Sequence, residues 1–156
     1  DTFKSPEFGP LGIVDNDEVI FYRDIVNRQF IDTQKIEEKV GLLKTAPGME
    51  SDIVNFYIDN GYRGIVIEAL GRGNIPPKMI DGIKNAIEKN IPIVKVSRCP
   101  TGRVLDTYGY EGGGKHLRDL GVIFGKNLPG QKARIKLMLI LSITNNMEVI
   151  KKLFEE

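Results

Sequence analysis

Residues 61–74 read GYRGIVIEALGRGN, and the fold turns on them. Asn60-Gly61 marks a turn, Ile65-Val66-Ile67 is a short β-branched run, and Gly71 and Gly73 open a loop. A short apolar run bounded by turn residues reads as a buried strand. This one delivers a glycine-rich loop to its carboxyl end. In open α/β sheets, ligands bind in the crevice outside the carboxyl ends of the strands. Residues 71–74 are therefore the first place to expect a site.

The flanking sequence repeats the pattern. Val40 to Lys44 is an apolar run stopped by Pro47-Gly48. Ser51 stands where a helix cap is expected, and Ile53, Val54, Tyr57 and Ile58 follow at helical spacing up to Asn60, with Gly61 as the stop. After the strand at 64–69, Pro76-Pro77 opens a second helix that carries Met79, Ile80, Ile83 and Ile87 on one face. Residues 91–96 form a third strand. Strands alternating with helices imply right-handed crossovers and a parallel sheet.

Beyond it, residues 98–114 are loop-like, 115–119 form a short helix and Val122-Ile123-Phe124 a last short strand. Residues 131–144 form a helix whose apolar run from Leu137 to Leu141 marks it as buried, and 147–154 are amphipathic, with Ile150, Leu153 and Phe154 on one side.

Upstream the texture differs. Residues 1–12 hold Pro6, Pro10, Gly9 and Gly12, as an extended linker does. Residues 11–14 and 18–22 flank Asp15-Asn16-Asp17 and read as a β-hairpin. The expected organisation is thus a linker and β-hairpin over 1–30, then an α/β domain over 31–156. That domain is a three-layer fold with a small parallel, flavodoxin-like sheet and helices on both faces.

The totals narrow the chemistry. The 156 residues carry 22 Lys and Arg against 21 Asp and Glu, which gives no electrostatic case for a nucleic-acid or membrane partner. One histidine and one cysteine make an internal disulfide impossible and a zinc site within one chain improbable. No secretory leader is legible, and no stretch is long enough to span a bilayer. The opening Asp1-Thr2-Phe3 lacks an initiator Met, and the chain reads as a piece of something longer.

Several residues qualify as site candidates. Asn74 offers an amide, donor and acceptor together, beside a backbone that Gly71 and Gly73 allow to approach a ligand. The blander reading is a strand-to-helix turn that needs positive φ. The loop fits neither G-x-G-x-x-G, because Pro76 and Pro77 follow, nor the phosphate loop, because no Gly-Lys-Ser/Thr follows. Arg98 can order the loop after the third strand or sit in a surface ion pair. Cys99 needs a base to act as a nucleophile, and His116 is better read as solvated or capping. Glu111, before three glycines, is a carboxylate on a mobile loop or simply exposed. Lys132 and Arg134 read as a solvated face or an interface. No nucleophile with a base and oxyanion donors is present, so no catalytic residue is expected in this chain.

Five motifs in order carry a resemblance: Lys44-Thr45-Ala46-Pro47-Gly48-Met49, Gly61-Tyr62-Arg63-Gly64-Ile65-Val66, Gly71-Arg72-Gly73-Asn74, Ser97-Arg98-Cys99-Pro100-Thr101-Gly102 and Gln131-Lys132-Ala133-Arg134-Ile135-Lys136-Leu137-Met138. Together they resemble the C-terminal domain of bacterial-type L-asparaginases. The resemblance implies a two-domain enzyme that hydrolyses asparagine to aspartate and ammonia through a threonine nucleophile, with no metal or cofactor. It implies homodimers or homotetramers in which the C-terminal domain of one subunit completes a site held mostly by a neighbour's N-terminal domain.

The family's threonine motifs are not in these 156 residues, so the chain alone is expected to be inactive. By the same resemblance Asn74 and Glu111 approach the substrate, while Gly71, Gly73 and Arg98 support the loops. The Ser-Arg-x-Pro-Thr-Gly form is more like the secreted branch than the cytoplasmic one. Two alternatives stand beside this reading. One is the asparaginase-like subunit of a transfer-RNA-dependent amidotransferase, which releases ammonia from glutamine. The other is a stand-alone binding module for a small ligand.

Overall fold

The computed structural model describes residues 4–5, 8–25 and 28–155. The chain divides into two compact units, residues 1–32 and 33–156.

The first unit contains the hairpin. Strands β1 (Gly12–Asp15) and β2 (Glu18–Phe21) pair antiparallel, with Ile13 opposite Ile20 and Asp15 opposite Glu18. Asn16 and Asp17 make the turn, both with positive φ (46° and 68°). A two-residue turn of this hand matches the right-handed twist of the strands, and Asn and Asp tolerate it better than other side chains. Among the described residues Val14, Val19 and Phe21 are all exposed.

The second unit is a four-stranded parallel sheet in chain order: β3 (Val40–Lys44), β4 (Gly64–Ala69), β5 (Ile93–Ser97) and β6 (Ile123–Phe124). The helices are α1 (Asp52–Asp59), α2 (Ile80–Glu88, entered through a short 3-10 turn at Pro77–Met79), α3 (Gly114–Asp119), α4 (Gly130–Leu141) and α5 (Met147–Glu155). The expected α/β sheet with helices on both faces is what forms.

Strand alternation sorts the two faces. Leu43, Ile65, Ile67, Ala69 and Ile93 share one core with Val54 and Ile58 of α1, Ile80, Ile83 and Ala86 of α2, and Leu117 of α3. The alternate residues Val66, Val94 and Val96 are equally buried. On that side Gly64 lies under α4, where a Cβ would come 2.9 Å from both Leu137 and Leu141. Helix α4 packs across β3, β4 and β5, and α5 packs on β6. Strand β4 is buried at every position because both of its faces are covered. Each fully buried Ile or Val there contributes roughly 1.5–3 kcal/mol of hydrophobic stabilisation. This is why the run that opens the domain has no polar alternation.

Two expectations need correction. Ser51 does occupy the residue before α1, but its side chain makes no cap bond. Its backbone is already helical (φ −71°, ψ −10°), and its hydroxyl instead donates to Lys78 O and accepts from Gly82 N, both at 2.9 Å. Arg134 is not on a solvated face: it is half-buried and its Nε donates to Val40 O at 2.8 Å, tying α4 to the start of β3. Lys132 is exposed as expected.

Candidate functional site at the carboxyl ends of the strands

The loop after β4 is closed on itself. Leu70 N donates to Asn74 O at 2.8 Å and Asn74 N donates back to Leu70 O at 2.9 Å. Turning the chain that tightly needs left-handed backbone at Gly71 (φ +50°) and Gly73 (φ +102°). Gly73 is also crowded, since a Cβ there would meet Val104 Cγ1 at 3.0 Å and Lys95 Nζ at 3.1 Å. Neighbouring elements hold the loop's carbonyls. The Ser97 hydroxyl donates to Gly71 O at 2.6 Å and Leu105 N donates to Arg72 O at 3.0 Å. Asn74 is thus half-buried on a fixed backbone. Its Oδ1 is buried and unpaired among the described residues.

The loop after β5 is built onto the same edge. Arg98 N donates to Ala69 O, and Arg98 Nη1 reaches Thr45 O at 2.8 Å, so this residue links the carboxyl ends of β3, β4 and β5. Further on, Ile75 N donates to Gly112 O at 2.9 Å. That bond joins the residue after Asn74 to the residue after Glu111 and brings the two stretches together. Glu111 itself is exposed. His116 Nδ1 accepts from Gly112 N at 3.2 Å, so it caps the glycine run, and the free Cys99 is exposed. Tyr108 and Tyr110 stack beside Glu111 with ring centroids 5.6 Å apart.

Two buried charges at this edge escaped the sequence reading. Glu68 is buried at the carboxyl end of β4, pairs with Lys44 at 3.4 Å and lies against Gly130 at the start of α4. A helix N-terminus favours a carboxylate there. Lys95 is fully buried in β5. Its Nζ donates to Gly73 O at 3.1 Å and reaches Leu105 O at 3.5 Å, and it stands 3.7 Å from the centre of the Phe124 ring. The Arg118 guanidinium lies 4.0 Å from the same ring centre and pairs with Asp106 at 2.9 Å. Burial, and then the nearby Arg118, push the Lys95 ammonium down to about 7, with Asp106 opposing. The signal for Lys95 was legible in principle, as a lysine inside the apolar run Ile93-Val94-Lys95-Val96.

Comparison with known proteins places this edge in context. The chain is 33% identical to a glutamyl-tRNA(Gln) amidotransferase subunit of Methanobrevibacter smithii, covering 100% of the chain and 36% of that protein. It is 38% identical to the same amidotransferase subunit of Pyrococcus horikoshii, over 98% of the chain and 36% of that protein. It is 35% identical to an L-asparaginase of Bacillus licheniformis, over 86% of the chain and 42% of that protein. The chain therefore spans well under half the length of these relatives. Residues 39–154 match the glutaminase/asparaginase C-terminal domain, and the chain belongs to that family.

Proposed function

We propose that this chain is the C-terminal part of an L-asparaginase. In this role it completes an active site held mostly by the N-terminal domain of a neighbouring copy. The observation that carries the reading is Asn74, whose backbone is clamped to Leu70 while its buried Oδ1 remains unpaired. A substrate ammonium or amide would supply the missing donor. Glu111, one residue from the Gly112–Ile75 bond, would add a carboxylate for a substrate amino group. Gly71, Gly73 and Arg98 keep the two loops in register. The nucleophile, base and oxyanion donors come from outside these residues, and the partners are the N-terminal domain and identical subunits.

A second reading has its own support. Several relatives that align over nearly all of this chain, the hairpin included, are named as subunits of glutamyl-tRNA(Gln) amidotransferase. On that reading the same site works on an amide that donates ammonia for transfer to glutamyl-tRNA(Gln).

Ammonia release from asparagine and from glutamine tests both, with the chain alone and then mixed with a separately produced N-terminal domain. The expected result is silence alone and activity on mixing. Asn74→Ala should then lower the reconstituted kcat/KM by about tenfold to a hundredfold, the loss of one or two substrate hydrogen bonds. Preference for asparagine supports the asparaginase reading and preference for glutamine the amidotransferase one. Activity from the chain alone overturns both, because it requires a nucleophile within these residues.

A further inference from the structure

We propose that Lys95 is a positioning residue that joins the two substrate-side loops, holding the carbonyl before Asn74 and the carbonyl of Leu105 on one buried ammonium. The geometry is specific. The side chain leaves the centre of β5, is fully enclosed, and ends between Gly73 O (3.1 Å) and Leu105 O (3.5 Å). Gly73 immediately precedes Asn74, and Leu105 belongs to the loop that goes on to Glu111. The two loops touch directly through the bond from Leu105 N to Arg72 O, and Lys95 lies beneath that junction as a second tie.

An apolar side chain would fill the same volume in β5 without desolvating a charge, so packing alone does not call for lysine here. What lysine adds is several donors for carbonyls that the loops turn inward. The Phe124 ring, paired in register with Lys95 on β6, supplies its negative face to the ammonium.

The surroundings make the tie sensitive to protons. β4 presents Ile67 and β6 presents Phe124, both without charge. The charged groups nearby are Arg118 of α3, Asp106 of the loop after β5 and Glu155 of α5, which pairs with Arg118 at 3.7 Å. His116 Nδ1 accepts from Gly112 N on the neighbouring loop. With its ammonium pushed down to about 7, Lys95 changes charge across neutral pH. A loop opening that exposes Lys95 to water returns it to its ordinary value, so opening becomes harder as pH rises, and the neutral amine still donates to Gly73 O.

The proposal rests on the reading of Asn74 as a ligand-facing residue, but its test needs no activity, so the two can fail separately. Amide exchange of Gly73, Asn74 and Leu105 is measured in the 156-residue chain at pH 6 and pH 9 after correction for intrinsic rates. The Leu137 amide in α4 serves as a distant reference. Lys95→Met should speed exchange at the three loop amides by about tenfold and leave Leu137 unchanged. The unmodified chain should gain loop protection between pH 6 and pH 9, and Lys95→Arg, which keeps its charge at both, should show no such gain. Equal exchange in Lys95→Met and the unmodified chain overturns the proposal. So does faster exchange at Leu137 to the same degree, which would make Lys95 a packing residue only. A pH response that persists in Lys95→Met also overturns it.

Discussion

At Gly112 the backbone is left-handed (φ +82°), and a Cβ would lie 2.1 Å from the Ile75 carbonyl oxygen. Gly71 is also left-handed (φ +50°), but nothing lies within 4 Å of its Cβ position. The pair separates backbone strain from close approach. Gly71→Ala should cost about 1 kcal/mol, the penalty for an ordinary side chain in that conformation. Gly112→Ala should cost more, about 2–4 kcal/mol, because the two chain segments must also move apart and strain the Ile75–Gly112 bond. Urea unfolding of both variants measures the difference. Equal losses would mean that Gly112 is needed only for its φ angle and that the two loops are not locked at this point.

Between elements, the Ser51 hydroxyl joins α1 to the start of α2. It donates to Lys78 O and accepts from Gly82 N, and Gly82 is there because a Cβ would come within 2.9 Å of Ser51 Cβ. Ser51→Ala leaves both groups without that partner and should destabilise the domain by about 1–2 kcal/mol, with faster exchange at the Gly82 amide. If only helix α1 frays and Gly82 keeps its protection, Ser51 is a simple cap.

This staple shows where sequence reading stops. The presence of Ser51 before α1 was legible, but its partner was not, because Lys78 and Gly82 lie 27 and 31 residues on. The elements themselves were legible because hydrophobic period is local: β3, β4 and β5 stand out as apolar runs, and α2 and α5 as amphipathic turns. The glycine loop and Asn74 were legible from Gly71 and Gly73. Lys95 was passed over because a lysine in a strand is usually carried to the surface, and only the fold reveals the two carbonyls that keep it inside. The tie from Arg134 to β3 was hidden for the same reason, since its acceptor on Val40 is 94 residues away.

For the molecule as a whole, Lys95 turns a local contact into a dependence of folding stability on pH. In the folded chain its ammonium is pushed down to about 7 from the ordinary 10.5. Below about pH 7 the lysine is protonated in both folded and unfolded chains, and the full cost of burying the charge is present. As pH rises through 7 the folded chain releases its proton while the unfolded chain keeps one. The unfolded state then binds more protons, and stability increases with pH.

Two other groups are shifted by burial. Burial pushes the Lys136 ammonium down, with Lys126 adding to the shift. Burial pushes the Tyr57 phenol up, and that contribution lowers stability as the unfolded chain's tyrosine ionises near pH 10. The Lys95 shift acts over the interval from about pH 7 to 9. Over it the free energy of unfolding should rise by an amount on the order of a few kcal/mol, read from urea midpoints. Lys95→Met should flatten the slope, while Lys136→Met should leave it in place. A flat profile in the unmodified chain would mean that Lys95 is as easily charged inside the fold as outside. The bonds to Gly73 and Leu105, with the Phe124 ring, would then offset the whole cost of its burial.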